Sequence, residues 1–168
     1  MSATAPAERV WAALAAVADP EIPVLSVLDL GIVREVRVDG GKVEVVITPT
    51  YSGCPATHAI EEAIRRSLAD AGFADASLRV SLSPAWTTDW MSAEGRAKLR
   101  KFGIAPPGAR TPESPAPVRL FRVAPAGIAC PHCGSARTER LAEFGSTPCK
   151  ALYRCRDCRE PFDYFKPI

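Results

Sequence analysis

"REVRVDGGKVEVVITPTYSGCPATHAI", residues 34–60, decides how the N-terminal part of the chain folds. Val36 and Val38 alternate on one arm, and Val43, Val45 and Ile47 on the other. Between them Asp39-Gly40-Gly41 offers the positive-φ residues that a tight β-hairpin needs. After Ile47 the period changes. "PATHAIEEAIRRSLADAG", from Pro55, sets Ile60, Ala63, Ile64, Ser67 and Leu68 on one helical stripe, and Gly72 suits the C-terminal cap. The change from period 2 to period 3.6 happens in the loop that carries Cys54.

Upstream, "ERVWAALAAVADPEIP" reads as a helix with Val10, Leu14 and Val17 inward, ending near Asp19-Pro20. It has no basic leader region, so an amphipathic helix is expected rather than a signal peptide. Downstream, "SLRVSL", residues 77–82, alternates Leu78, Val80 and Leu82 as a third strand. Strand, helix, strand implies a right-handed crossover to a parallel neighbour. The expectation is an α+β fold: a small α-β-β-α-β two-layer domain whose mixed sheet is covered on one face by helices. A last helical stretch, "TTDWMSAEGRAKLRKFG", follows, with Trp86, Trp90, Leu99 and Phe102 read first as core or cover for the sheet edge, and alternatively as a docking surface.

"IAPPGARTPESPAPV", residues 104–118, is dense in proline, which removes backbone donors and favours extended chain. It divides the chain into a domain at 1–104, a linker at 105–117 and a C-terminal module at 118–168. Residues 118–168 carry nine Lys/Arg against five Asp/Glu, and residues 1–117 twelve against fourteen. The total of +2 argues against a strong general attraction to nucleic acid or to an anionic membrane. No run approaches the ~20 apolar residues of a membrane span. With no targeting signal, a cytoplasmic address is expected. In that reducing compartment the six cysteines read as metal ligands or reactive thiols rather than disulfides.

Four of them form two C-x-x-C pairs, Cys130 with Cys133 and Cys155 with Cys158, enclosing 21 residues between Cys133 and Cys155. Each pair can turn two thiolates toward one point, and four thiolates suit tetrahedral Zn²⁺. "RTERLAEFG", "KALYRC" and "PFDYFK" have β-like composition, which completes the layout of a zinc ribbon. A module of this size buries too little apolar surface to be comfortable without a metal. The same four thiolates would also accept an iron–sulfur cluster. His132, inside the first knuckle, reads as an exposed spacer. Cys149 is left over, either a partly buried structural cysteine or an auxiliary thiol near the metal.

Cys54 stands alone. The order Gly53-Cys54-Pro55 suggests a helix start with proline at the first helical position, which places Cys54 at or beside the N-cap. There the helix dipole and free N–H groups favour a thiolate, the species that binds soft metal. A buried small residue at the strand–helix junction is the alternative. His58, four positions on, is either on the same face or a surface or sheet-packing histidine. "ADPEIPVLSVLDLGIV" places Asp19, Glu21 and Asp29 around a proline-containing turn. Asp19 reads as a turn residue and the other two as solvated, unless the loop folds over the sheet edge near Cys54.

"DPEIPVLSVLDLGIVREV" followed by "ITPTYSGCP" resembles the SufT-type domain of iron–sulfur cluster assembly factors, with its D-P-E turn and a single cysteine after a T-x-x-G-C-P-like loop. "PAWTTDWMSAEGRAKLRKFGIAPP" and the C-terminal cysteine module extend the resemblance over nearly the whole chain, to the phenylacetyl-CoA epoxidase subunit family known as PaaD or PaaJ. The resemblance implies an accessory or maturation subunit rather than an enzyme. Its implied role is to assist iron–sulfur cluster or metal-centre assembly in a partner during aerobic phenylacetate breakdown. Implied partners are the other epoxidase subunits, above all the iron–sulfur reductase component, and a homodimer is compatible with the role. Cys54 matches the family's functional cysteine, and Asp19 and Glu21 its acidic turn. One thiolate holds a cluster only loosely, so a transient iron–sulfur cluster shared with His58, Cys149, a second copy or a partner is expected. Two other classes remain as alternatives: a zinc-ribbon nucleic-acid-binding or scaffold protein, and a thiol oxidoreductase using Cys54, which lacks a nearby resolving cysteine.

Overall fold

The computed structural model describes residues 6–51, 53–108 and 127–168. The chain divides into two compact units, Met1–Gly95 with Ile168, and Arg96–Pro167.

The N-terminal unit has the expected order. Helix α1 (Pro6–Ala15) is followed by strands β1 (Val33–Asp39) and β2 (Lys42–Ile47), helix α2 (Thr57–Asp70) and strand β3 (Ser77–Val80). The sheet runs β1-β2-β3, with β1 antiparallel and β3 parallel to β2. Asp39 pairs with Lys42, so Gly40 (φ +51°) and Gly41 (φ +84°) form the two-residue hairpin turn whose twist matches the strands. Val10, Leu14 and Val17 on one side and Val43, Val45 and Ile47 on the other are buried. Ile60, Ile64 and Leu68 of α2 are buried as well, and the Ser67 hydroxyl donates to the Ala13 carbonyl at 2.8 Å. Helix α2 has no side-chain cap at its start, a deficit of about 1 kcal/mol. Its three buried aliphatic side chains, at roughly 1.5–3 kcal/mol each, outweigh that. At its end Gly72 (φ +89°) donates to Ala69 O at 2.9 Å and Phe73 N to Leu68 O at 2.8 Å, the paired bonds of a Schellman motif.

The third strand departs from expectation. It stops at Val80, and Val80 and Leu82 are 40% and 59% exposed. Val80 is the last residue of an edge strand and Leu82 lies beyond its end, so neither is flanked by strand on both sides. The stretch after it is also split. Thr88–Trp90 is a 3₁₀ turn and α3 covers Ala93–Lys101. Trp86 is buried with its indole N–H on Leu30 O at 2.9 Å, and the Arg34 guanidinium lies over the Trp90 ring at 3.5 Å. Leu99 is buried, whereas Phe102 is 56% exposed.

The C-terminal unit is a four-stranded sheet in the order β4-β7-β6-β5, from β4 (Ile104–Ala105), β5 (Thr138–Ala142), β6 (Lys150–Cys155) and β7 (Pro161–Phe165). Its core is Ala105, Cys130, Ala151, Tyr153, Cys155, Phe162 and Tyr164. The division of the chain thus falls ahead of the expected boundary at 104. Ile104 and Ala105 pair in parallel with Asp163 and Tyr164, so the start of the expected linker is ribbon strand. Two residues cannot sustain a strand alone, and β7 supplies the backbone partners that composition could not reveal. Residues 109–117 of that linker lie outside the described residues.

Gly31 has φ +69°, and a Cβ built there would lie 2.3 Å from the Trp90 carbonyl oxygen. Gly31→Ala is expected to lower stability by about 2–4 kcal/mol, read as a fall in the urea midpoint, because it combines a left-handed backbone with overpacking.

Candidate functional site

Ile47 pairs with Val33 on one side and with Val80 on the other. The segments before β1, after β2 and after β3 therefore leave the sheet at one end, the C-terminal end of the two parallel strands. Ligand sites favour that end in sheets with crossover helices. Backbone bonds continue the pairing into the first residue of each segment: Thr48 N–H donates to Ile32 O and Ser81 N–H to Ile47 O, each at 2.8 Å.

Asp19 lies in the first segment and is 8% exposed. Its Oδ1 accepts from Glu21 N at 2.8 Å and from Ile22 N at 2.7 Å, while its own N–H donates to Leu25 O at 2.8 Å. The D-P-E turn is thus closed by its own first carboxylate. Glu21 is half-buried at the turn. Asp29, expected to be solvated, is buried. Its Oδ2 accepts from the Ser26 amide and hydroxyl at 2.9 Å, and its Oδ1 from the Ser92 hydroxyl at 3.3 Å. Ser92 Oγ in turn accepts from Gly95 N at 2.8 Å, an N-cap bond at the start of α3. Ser26 and Ser92 were not singled out from sequence, although S-A-E-G ahead of a helical run is a start signal that marks Ser92.

Cys54 is half-buried in the second segment. Its N–H donates to Tyr51 O at 3.1 Å and its carbonyl accepts from Thr57 N at 3.2 Å. The expected cap position is corrected. The cap of α2 is Ala56 (φ −76°, ψ −14°), and Cys54 precedes it. Cys54 to Thr57 close a β-turn with Pro55 at its second position, where the fixed φ of proline is equally at home, and the helix starts only afterwards. His58 does not pack on the sheet. Its side chain is 84% exposed, and Nε2 lies 3.4 Å from the Glu62 carboxylate one helical turn on.

In the C-terminal unit the four paired cysteines converge: one ligand atom from each of Cys130, Cys133, Cys155 and Cys158 lies within 4.8 Å of the others. Cys130 and Cys158 sulfurs are 3.7 Å apart, and Cys133 and Cys155 sulfurs 3.5 Å. Tetrahedral ligands at a metal–sulfur distance of ~2.3 Å are separated by ~3.8 Å, so the donor set fits a small thiolate-bound metal ion. The first knuckle is shaped by Gly134 (φ +78°), whose N–H donates to Cys130 O at 2.8 Å. In the second, the Cys158 backbone N–H and the neighbouring thiols hold the Cys155 thiol down to about 7. Cys158 is pushed up to about 12: the Glu160 backbone N–H works against the rise, but burial and the three other thiols prevail. Thiols this crowded cannot all ionise without a cation among them. Cys149 stays outside this cluster. It is buried, its sulfur lies 3.0 Å from Thr147 Oγ1, and its carbonyl accepts from Lys166 N at 2.9 Å. His132 is exposed, as expected of a spacer.

Both units match known families. Residues 7–80 match the iron–sulfur cluster assembly protein family, and residues 114–166 the PaaD zinc beta ribbon domain. Over 160 residues the chain is 48% identical to a protein of Escherichia coli (strain K12) named as a subunit of 1,2-phenylacetyl-CoA epoxidase, spanning 95% of this chain and 92% of that one. The chain belongs to the PaaD family of phenylacetyl-CoA epoxidase subunits. The N-terminal unit of this PaaD-family chain has wider relatives. The Bacillus subtilis (strain 168) "Fe-S protein maturation auxiliary factor YitW" is 33% identical over 94 residues, covering 55% of this chain and 91% of the relative. A solved structure of a DUF59 domain from Bacillus anthracis superposes with a TM-score of 0.51 at 26% identity, over 55% of this chain and 89% of that domain. Among the described residues no helix is long and apolar enough to cross a membrane.

The Asp19 geometry separates charge from hydrogen bonding. Asp19→Asn keeps an acceptor for both turn amides and is expected to leave the thermal midpoint near wild type. Asp19→Ala leaves two donors unanswered and is expected to cost about 1–3 kcal/mol, measured by chemical unfolding.

Proposed function

We propose that this chain is a non-catalytic, cytoplasmic accessory factor of the phenylacetyl-CoA epoxidase system. It assists assembly of an iron–sulfur cluster or metal centre in a partner subunit, foremost the iron–sulfur reductase component. The observation that carries this reading is the placement of Cys54: half-buried, on a loop at the C-terminal end of the parallel strands, in a unit that matches iron–sulfur assembly proteins. A half-buried sulfur can reach a cluster yet cannot enclose it. With one protein thiolate in that unit, the cluster stays transferable to a site with a fuller ligand set. Asp19 and Glu21 serve by shaping their own turn, Asp19 through the two amides it accepts. His58 and Cys149 contribute less to this reading, since one is paired with Glu62 on the surface and the other is packed beside Thr147.

The four-cysteine cluster is read as a structural Zn²⁺ site. Cys130, Cys133, Cys155 and Cys158 would hold the ion, which supplies folding free energy to a small core. A nucleic-acid role for the ribbon has less support, because most of its basic side chains already have acidic partners. Arg137 is paired with Asp157, Arg140 with Glu143, Lys150 with Asp163, and Arg154 and Arg156 with Glu139.

Two measurements test these assignments. In cells whose only copy is Cys54→Ser, cluster content of the reductase component is expected to fall while the variant keeps its thermal midpoint; unchanged cluster occupancy would overturn the transfer role. Anaerobically purified protein is expected to be colourless with about one zinc per chain, and Cys155→Ser to lose that zinc and the ribbon fold. A brown sample would reassign the four thiolates to iron and sulfide.

A further inference from the structure

The two knuckles of the ribbon end alike in backbone and differently in side chain. After Cys133 comes Gly134 at φ +78°; after Cys158 comes Arg159 at φ +65°. Among the described residues Arg159 is the one non-glycine residue at positive φ. Glycine adopts this conformation without steric cost, and arginine does not. The side chain makes no hydrogen bond or ion pair within the described residues that would offset that cost. The backbone turn itself serves the knuckle, since the Glu160 N–H that follows it reaches the Cys158 thiol; what the second knuckle adds is an arginine side chain where glycine would make the same turn at lower cost.

The surroundings say what that side chain is for. Arg159 lines an open cleft of ≈ 490 Å³ together with Arg154, Arg156, Glu139 and Cys155. Glu139 sits across from the arginines and is shared between two of them. Its Oε1 accepts from Arg154 Nε at 3.0 Å, and its Oε2 from Arg156 at 2.9 Å. Three guanidinium groups thus face one carboxylate, an excess of two positive charges. The nearby Asp157 is already taken by Arg137 and Ser135.

We propose that the cleft formed by Arg154, Arg156 and Arg159 is a docking site for a glutamate- or aspartate-bearing segment of a partner protein, with Arg159 as its unoccupied fork. A planar guanidinium binds a carboxylate through two parallel N–H···O bonds, and Glu139 already shows the cleft accepting that group. The charge balance favours single carboxylates over a polyanion. With a divalent ion among four thiolates, the cluster behind Cys155 carries about −2, which offsets the cleft's +2 at longer range, so the affinity left is the close, directional pairing of a guanidinium with a carboxylate rather than a field that gathers a polyanion. This cleft and Cys54 belong to different units, so either assignment can fail alone.

The test uses the full, zinc-loaded chain and a blocked, fluorescein-labelled peptide rich in glutamate, beside its glutamine counterpart. Fluorescence anisotropy is expected to show binding of the glutamate peptide only, weakened about fivefold in Arg159→Gly. The thermal midpoint of that variant is expected to equal or exceed wild type, because glycine relieves the backbone. Four outcomes would overturn the proposal: no binding, equal binding of the glutamine peptide, unchanged affinity in Arg159→Gly, or a lower midpoint showing that the arginine serves the fold. Displacement of the peptide by an oligonucleotide at equal concentration would overturn it too, by marking the cleft as a general polyanion surface.

Discussion

The carbonyl of Ile47 accepts the Ser81 amide at 2.8 Å, and Ile47 itself is register partner to Val33 and Val80. This shared register is the constraint on which the N-terminal unit depends. Strand β2 is the middle strand and is buried along most of its length, so it cannot slip by one residue without turning Val43, Val45 and Ile47 away from the helices. With β2 fixed, the ends of its neighbours are fixed too. The chain just before Val33, the Cys54 loop and the segment beyond Val80 then start from the same end of the sheet. Chemistry carried by irregular chain is thereby held on a regular scaffold.

The C-terminal unit solves a different problem. Its core is small, and two of its members, Cys130 and Cys155, are themselves part of the four-sulfur cluster. Packing and coordination are therefore one event there. Crowding four thiols within 4.8 Å of one another is unfavourable for the bare chain and favourable around a cation, so the ribbon ties its fold to its metal. The aromatic side chains complete the core: Tyr153 stacks on Phe162 at 5.9 Å and meets Tyr164 edge-on at 5.6 Å.

Much of the site was legible in sequence because the signals were local. C-x-x-C spacing defines a knuckle within a few residues, so the four cysteines that converge could be named before any contact was known. The hairpin was equally plain from Gly40-Gly41 and its flanking valines. What failed was whatever depended on a partner distant in sequence or on fine backbone geometry. Cys54 and Pro55 fit a helix start and a β-turn equally well, and only the Thr57 amide bonding back to Cys54 decides between them. Asp29 looked like a solvated turn acid because Ser92, which lies far along the chain, supplies a hydrogen bond that lets it be buried. Arg159 gave no signal at all, since left-handed φ at a non-glycine residue leaves no mark in composition.

The sequence by itself determined the alternating strands, the helical stripes, the hairpin turn and the two cysteine knuckles, because steric and hydrophobic periodicity act over a few neighbouring residues. Only the tertiary structure decided which apolar residues are covered, where one unit gives way to the next, and which acids are buried. Those outcomes depend on partners brought from far along the chain. Val80 and Leu82 have the pattern of core residues and lie on an open edge, while Ile104 and Ala105 have the composition of a linker and are ribbon strand.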